Sequence, residues 1–299
     1  AAYVCDGAVL CGFTFSNGHT RASGDPGLEQ SGGNLCCGPA AAVSNCVLVR
    51  GSASLLGGGS YQGTLANCTV SGCSAWLGGG AFDATLRNVT LAANSASAQG
   101  GGSYGGALEN CIAVGNSAPT GANYYGGSLT FCCTDPNPGG DNIGGPPLFV
   151  DGAAGDYRLQ AASPCVDSGT NRAWMAGAWD VDGAPRILSG RVDRGAHEYY
   201  GDPFVDITNA AATIYGEFTP YAIGGTNNAY VTGFLVWNNT ATGGSGTTLA
   251  TSPWLLSIPL AFGDNLITVH GWNPGGAEAS DTVTITRLTQ FSGPSSAHY

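Results

Sequence analysis

Leu65, Leu86, Leu108 and Leu129 recur at intervals of 21, 22 and 21 residues, and this recurrence restricts the fold more than anything else in the chain. Two residues after each come Asn67, Asn88, Asn110 and Phe131, and the next column reads Cys68, Val89, Cys111 and Cys132. Two further on it reads Val70, Leu91, Ala113 and Thr134. Val43, Asn45, Cys46 and Leu48 form an earlier copy 22 residues upstream, and Leu10, Gly12, Phe13 and Phe15 a weaker one. A fixed period in this range is the mark of a solenoid.

The content of each copy selects the kind of solenoid. A helical repeat needs apolar residues at i, i+3, i+4 and i+7 and few glycines. Here every copy carries a glycine cluster (57–59, 78–80, 100–102), and the apolar residues fall in short alternating runs such as Cys68-Thr69-Val70. Alternation with period two is a strand signature, and glycine clusters mark tight turns. The chain is therefore expected to be all-β, with each copy one coil of a parallel β-helix and equivalent residues stacked about 4.8 Å apart. Parallel crossovers are overwhelmingly right-handed, so the same hand is expected here. Asn tolerates the left-handed region, which places the Asn column at a bend, its amides bonding to the next copy. Tyr61, Phe82 and Tyr104 form an aromatic column after each glycine cluster.

Copies 1 and 2 are separated by 33 residues rather than 22, so the polar stretch 17–33 is expected to bulge as a loop. The regular coils run to residue 134. Pro136, Pro138, Pro146 and Pro147 then break the pattern. The following block holds Leu148-Phe149-Val150-Asp151, Gly155-Asp156-Tyr157-Arg158-Leu159, Ser163-Pro164-Cys165-Val166-Asp167-Ser168-Gly169, Asp180-Val181-Asp182-Gly183 and Val192-Asp193-Arg194-Gly195-Ala196-His197-Glu198-Tyr199. With the upstream Gly-Phe-Thr-Phe and Asn-Cys-Thr-Val elements, this set resembles bacterial right-handed parallel β-helix proteins of the choice-of-anchor type, over roughly residues 8–200. That resemblance implies a secreted or surface-attached protein and no particular reaction. The chain departs from the pattern at Cys165 and in the insertion Asn171–Ala178. Residues 148–200 are expected to close the C-terminal end of the helix, an Arg–carboxylate lattice holding their loops. Asp180-Val181-Asp182-Gly183 matches the start of a calcium loop but lacks the later ligands, so no metal or cofactor is expected.

After a junction at Gly201-Asp202-Pro203 the pattern changes. Short strands at 204–207, 213–218, 230–237, 254–260, 265–272 and 281–286, separated by turn signals such as Gly243-Gly244-Ser245-Gly246, predict an immunoglobulin-like β-sandwich over 204–288. It resembles bacterial immunoglobulin-like modules, notably at residues 260–267. Trp237 or Trp254 is expected at its centre. Residues 289–299 are expected to form an extended tail. The expected division is thus 1–200, 204–288 and 289–299.

Net charge is −11, with nine arginines and no lysine, which argues against nucleic-acid binding. No apolar run is long enough to span a membrane. Eleven cysteines is an odd number; Cys46, Cys68, Cys111 and Cys132 read as small core residues, and Cys36, Cys37, Cys132 and Cys133 as candidate disulfide partners. The sequons place candidate glycans on Asn67, Asn88 and Asn238, and Thr69 and Thr90, expected to face outward, are candidates for O-linked sugar. A lyase would need a basic residue near the scissile bond, yet Arg50 and Arg87 lie 37 residues apart, which is not a whole number of coils. Asp83 and Glu109 are the acids a hydrolase would have to pair. His197 and His270 read as structural. No catalytic residue is assigned.

These features lead to a non-enzymatic extracellular structural protein assembling head to tail as a homo-oligomeric fibre. Its assembly surface is expected to comprise Val9, Cys11, Phe13 and Phe15 of an uncovered first coil and Phe291 and Tyr299 of the tail. The alternatives are an adhesin that stacks surface glycans on Trp76, Tyr124 and Tyr125, and a polysaccharide lyase or glycoside hydrolase.

Overall fold

A computed structural model describes residues 1–216 and 220–289, which divide into two compact units, Ala1–Tyr199 and Tyr200–Tyr299. The first is a parallel β-solenoid with three sheets of six strands. The first sheet holds Ala2–Val4, Leu35–Cys37, Ser60–Tyr61, Ala81–Phe82, Ser103–Tyr104 and Tyr124–Tyr125. The second holds Val9–Cys11, Ala42–Ser44, Thr64–Ala66, Thr85–Arg87, Ala107–Glu109 and Ser128–Thr130. The third holds Thr14–Ser16, Val47–Val49, Thr69–Ser71, Thr90–Ala92, Ile112–Val114 and Cys133–Thr134.

Pairing follows the sequence columns residue for residue. Leu65, Leu86, Leu108 and Leu129 are successive partners in the second sheet. The extra residues between the first two copies are accommodated while Leu10 still pairs with Val43. Loop 17–33 folds back on itself, with Arg21 ion-paired to Glu29 and Asp25 Oδ1 accepting from the N–H groups of Gly27 and Leu28. Its Gly27 carbonyl accepts a hydrogen bond from the buried Cys36 thiol.

The interior is one continuous apolar stack of Leu, Val, Cys and Ala. Asn45, Asn67, Asn88, Asn110 and Phe131 all sit at φ of 51–53°, as the bend assignment requires. At these bends the following N–H points inward, where strand pairing cannot reach it. The Cys column meets part of that demand: the N–H of Phe13 donates to Cys46 Sγ and that of Cys46 to Cys68 Sγ, each over 3.4 Å. At the C-terminal end Asn142 Oδ1 takes the same place, accepting from the N–H of Cys132 at 2.8 Å.

A second interior ladder, polar and at odds with the expectation of an apolar core, lines the bend after the third sheet. The N–H of Cys73 donates to Asn94 Oδ1, that of Asn94 to Asn116 Oδ1, and that of Asn116 to Asn123 Oδ1, over 2.9, 2.9 and 3.1 Å. Burying these amides is tolerable because each is bonded on both its donor and acceptor side.

The second unit is a sandwich. Val205–Ile207, Tyr221–Asn227 and Trp254–Ile258 form one sheet; Ala212–Tyr215, Glu278–Leu288, Gly263–Trp272, Phe234–Asn239 and Gly244–Leu249 form the other, in that order. Trp254 belongs to the buried core, and Trp237 packs against it from a half-buried position. Two strands differ from expectation. Tyr221–Asn227 lies outside the predicted strands, and Gly244-Ser245-Gly246, expected as a turn, opens an edge strand. The glycines are used for close approach: the Trp237 indole lies against Gly246, and the Trp254 ring against Gly225. A β-carbon at Gly225 would stand 2.1 Å from Trp254 Cζ2.

Candidate functional site

The most elaborate construction in the molecule is on the flank of the solenoid. Residues 135–143 close the end of the last coil, with Ile143 bridging to Cys133. The chain then turns back, and residues 149–199 run as a strap along the outside of the coils. This corrects the expectation that 148–200 would cap the end.

The reason lies in the left-handed bends. An Asn in that conformation turns its side chain outward, and the strap supplies the acceptors. Asn110 Nδ2 donates to the Thr170 carbonyl over 2.9 Å, and its Oδ1 accepts from the Thr170 N–H over 2.8 Å. Asn88 Nδ2 donates to the Asp193 carbonyl at 3.1 Å. Asn67 Nδ2 donates to the Trp179 carbonyl at 2.9 Å, and Asn45 Nδ2 reaches both the Trp179 and Asp180 carbonyls at 3.0 and 2.6 Å. The expected coil-to-coil amide bond occurs between Asn110 and Asn88, at 3.5 Å. The ladder is a row of clamps for the strap.

The strap also covers the outer face of the third sheet. Ile112 and Cys133 form a second apolar cluster with Leu159 and Cys165, flanked by Val114, Phe149 and Tyr199. The Ala196 N–H donates to Thr90 Oγ1 at 3.0 Å. Thr69 and Thr90 are consequently buried rather than exposed, and Asn67 and Asn88 are 2% and 0% exposed. A glycan on any of these four would require the strap to be detached. Asn238 lies in the sandwich, half-buried, with its amide nitrogen 3.1 Å from His270 Nε2.

The strap is held together by a buried charge cluster. Arg186, fully buried, pairs with Glu198 at 2.7 Å and donates to the carbonyls of Ala196, Asp193 and Gly195. Asp193 accepts from the N–H groups of Asp167 and Tyr199, and Asp180 from those of Asp182, Ala184 and Glu198. The Asp180 oxygens are thus taken up by main-chain donors, and no grouping of metal-ligand side chains occurs among the described residues. Burial raises the Asp180 and Glu198 carboxyls above their ordinary range and pushes Asp193 up to about 7, even though each accepts main-chain hydrogen bonds.

The remaining sequence-based candidates fall in separate places. Asp83 sits at a left-handed bend (φ 47°) before the second sheet, whereas Glu109 lies on that sheet in the column of Arg87. Four residues along the coil separate those columns. Glu109 is moreover ion-paired with Arg172. His197 bonds to Asp182 and His270 to Glu278, over 2.7 and 2.5 Å.

Tyr61, Phe82, Tyr104 and Tyr125 form a continuous stack with centroid separations of 5.8, 5.0 and 5.2 Å and interplanar angles of 20°, 8° and 23°. Phe82 and Tyr104 are covered by a ring on both faces, and Tyr61 and Tyr125 at the two ends on one face each. Tyr124 lies in the neighbouring inward column, paired with Ser103, and Trp76 is 49% exposed on its own strand.

All eleven cysteines are free thiols. Cys132 faces the solenoid interior and Cys133 the outer cluster; on the first sheet Cys37 faces the interior and Cys36 the outer side, toward Gly27. Alternation along a strand therefore directs the two members of each vicinal pair to opposite faces, against a bond within either pair. In the first coil Val9, Cys11 and Phe13 are exposed and Phe15 is half-buried. Phe291 and Tyr299 lie outside the described residues.

No family model matches the chain, and a comparison with curated proteins finds no match. Among solved structures, the fibronectin(III)-like modules of CbhA from Clostridium thermocellum are similar, at 16% identity over 29% of this chain and 99% of that one, with a TM-score of 0.23. The sandwich assignment rests on its own sheet order.

Proposed function

We propose that this chain is a non-enzymatic structural protein of the extracellular or cell-surface space, of the choice-of-anchor type, in which the solenoid serves as a stiff rod. The observation carrying this reading is the strap: residues 149–199 are given over to clamping the Asn ladder from Asn110 back to Asn45. Such an arrangement rigidifies a flank, and it engages Glu109, one of the acids a hydrolase would have to pair, in an ion pair with Arg172.

The finer part of the reading is head-to-tail assembly. The first coil presents exposed Val9 and Phe13, and its strands pair on one side alone among the described residues. A strand edge of that kind is a template for another strand, and a heterologous contact propagates into a fibre. Electron microscopy at neutral pH tests this. Fibres with a repeat of one subunit, lost in a Val9→Lys, Phe13→Lys double variant, are the expected result; monomers at every concentration would rule assembly out.

Glycan binding is the second reading. Trp76 favours it, because its side chain is half exposed and belongs to no ring stack among the described residues. Binding on a glycan array that disappears in Trp76→Ala would support it.

A further inference from the structure

Cys133 closes the third sheet on its outer face, and Cys165 lies on the strap opposite it. Both side chains are fully buried in the same apolar cluster, with Ile112 and Leu159 as neighbours. Backbone bonds fix the two segments against each other: the Arg194 N–H donates to the Cys165 carbonyl at 3.0 Å, while Arg194 Nη1 donates to the Cys132 carbonyl at 2.8 Å. Cys133 Sγ donates to the Gly145 carbonyl at 3.6 Å, and each thiol shifts the other's ionisation, Cys133 downward and Cys165 upward, as close neighbours do. We propose that Cys133 and Cys165 are a disulfide-forming pair that fastens the strap to the solenoid.

The other thiol neighbours suit this role less well. Cys46 and Cys68, and likewise Cys111 and Cys132, occupy one column of successive parallel coils. Their β-carbons are held near the strand spacing of about 4.8 Å, wider than the mean of about 3.8 Å in a disulfide. Cys165 belongs to an irregular segment with no coil register to keep, so it can close the gap. The neighbouring Cys165 side chain and the Arg194 charge both favour the Cys133 thiolate, which makes Cys133 the attacking sulfur.

With a small-molecule disulfide such as oxidised glutathione as the oxidant, the exchange balances. The Cys133 thiolate attacks one glutathione sulfur and expels the other as thiolate. Cys165 then loses its proton, attacks the Cys133 sulfur of the mixed disulfide and releases the second glutathione. The protein loses two hydrogens and two glutathione thiols are formed. Because both sulfurs are buried, exchange proceeds during folding or transient release of the strap.

Peptide mapping tests the pair directly. Cleavage at arginine places Cys165 alone in peptide 159–172, whereas Cys111, Cys132 and Cys133 share peptide 88–158. Native protein equilibrated with oxidised glutathione is alkylated, denatured and digested without reduction. The expected product joins these two peptides in the wild type and in Cys132→Ser, and is lost in Cys133→Ser. Recovery of 159–172 as an alkylated or singly glutathionylated peptide, or its linkage to any other peptide, would overturn the proposal. So would persistence of the linked product in Cys133→Ser. Should that variant not fold, electron-transfer fragmentation of the wild-type product decides the matter by locating the bond at Cys133, as expected, or at Cys111 or Cys132, which would overturn the pairing.

Discussion

Asn88 Nδ2 donates to the main-chain oxygen of Asp193 across 105 residues of chain, at 3.1 Å, from a side chain with no solvent exposure. The same Asn holds its backbone at φ 51°. One residue type therefore makes the bend of the coil and grips the strap.

These two roles can be separated. Asn88→Gly keeps the left-handed bend and removes the clamp; Asn88→Ala removes both. We expect Asn88→Gly to lose about 1–2 kcal/mol, and Asn88→Ala about 1–2 kcal/mol more, from the lost amide bond and from the left-handed conformation respectively. Urea midpoints of the two variants measure the difference. Equal midpoints would show that the bend conformation costs Ala nothing.

Arg186 is ion-paired with Glu198 at the centre of the strap. Replacing it by Met leaves buried carboxylates without a counter-charge, a change expected to cost about 3–5 kcal/mol. Limited trypsin digestion at Arg172 and Arg191 reports it, with cleavage of the variant far faster than of the wild type.

The strap should loosen as pH rises. Asp193 is pushed by burial from 3.8 to about 7, so the folded form holds a proton that the unfolded form has released. Stability from this group is fully present below about pH 4 and is lost progressively as pH climbs toward and through about 7. Asp180 and Glu198 are displaced in the same direction. The urea midpoint of the solenoid should be higher at about pH 5 than at about pH 8, and Asp193→Asn should flatten that slope.

Two glycines of the solenoid should respond oppositely. A β-carbon on Gly79 would lie 2.2 Å from the Ser95 carbonyl oxygen and 2.5 Å from that of Gly101. Gly79→Ala must push adjacent coils apart and should abolish soluble expression. Gly115, at φ 65°, has no atom within 4 Å of that position, so Gly115→Asn should change stability by less than about 1 kcal/mol. Thermal melts of the two variants check the contrast.

In the sandwich, Gly225→Ala should displace the Trp254 ring, which a β-carbon would overlap. The near-ultraviolet dichroism of the tryptophans and the melting temperature of the sandwich transition should both fall.

Much of the solenoid is legible in the sequence because its strands stack in register. Leu65, Leu86 and Leu108 occupy equivalent environments, so one selection pressure acts on all of them and writes a period. The aromatic stack and the left-handed Asn bends are readable for the same reason. The interior Asn94–Asn116 ladder has its own 22-residue spacing, but an expectation that cores are apolar hides it. Gly244-Ser245-Gly246, the start of the edge strand, is misread as part of a turn because its glycines answer to the Trp237 indole, a partner on the neighbouring strand.

The sequence by itself determined the coil, its register and its apolar interior, since those depend on residues one period apart. Only the tertiary structure decided what the outward-facing residues do. Asn67, Thr69, Asn88 and Thr90 point away from the core in every coil, and pattern alone leaves them in solvent. They are buried because residues 149–199 return along that flank, and a non-repeating segment leaves no periodic trace of where it will lie. Its path is fixed by single long-range contacts, Asn110 with Thr170 and Asn45 with Trp179, each between residue types that are common at any surface.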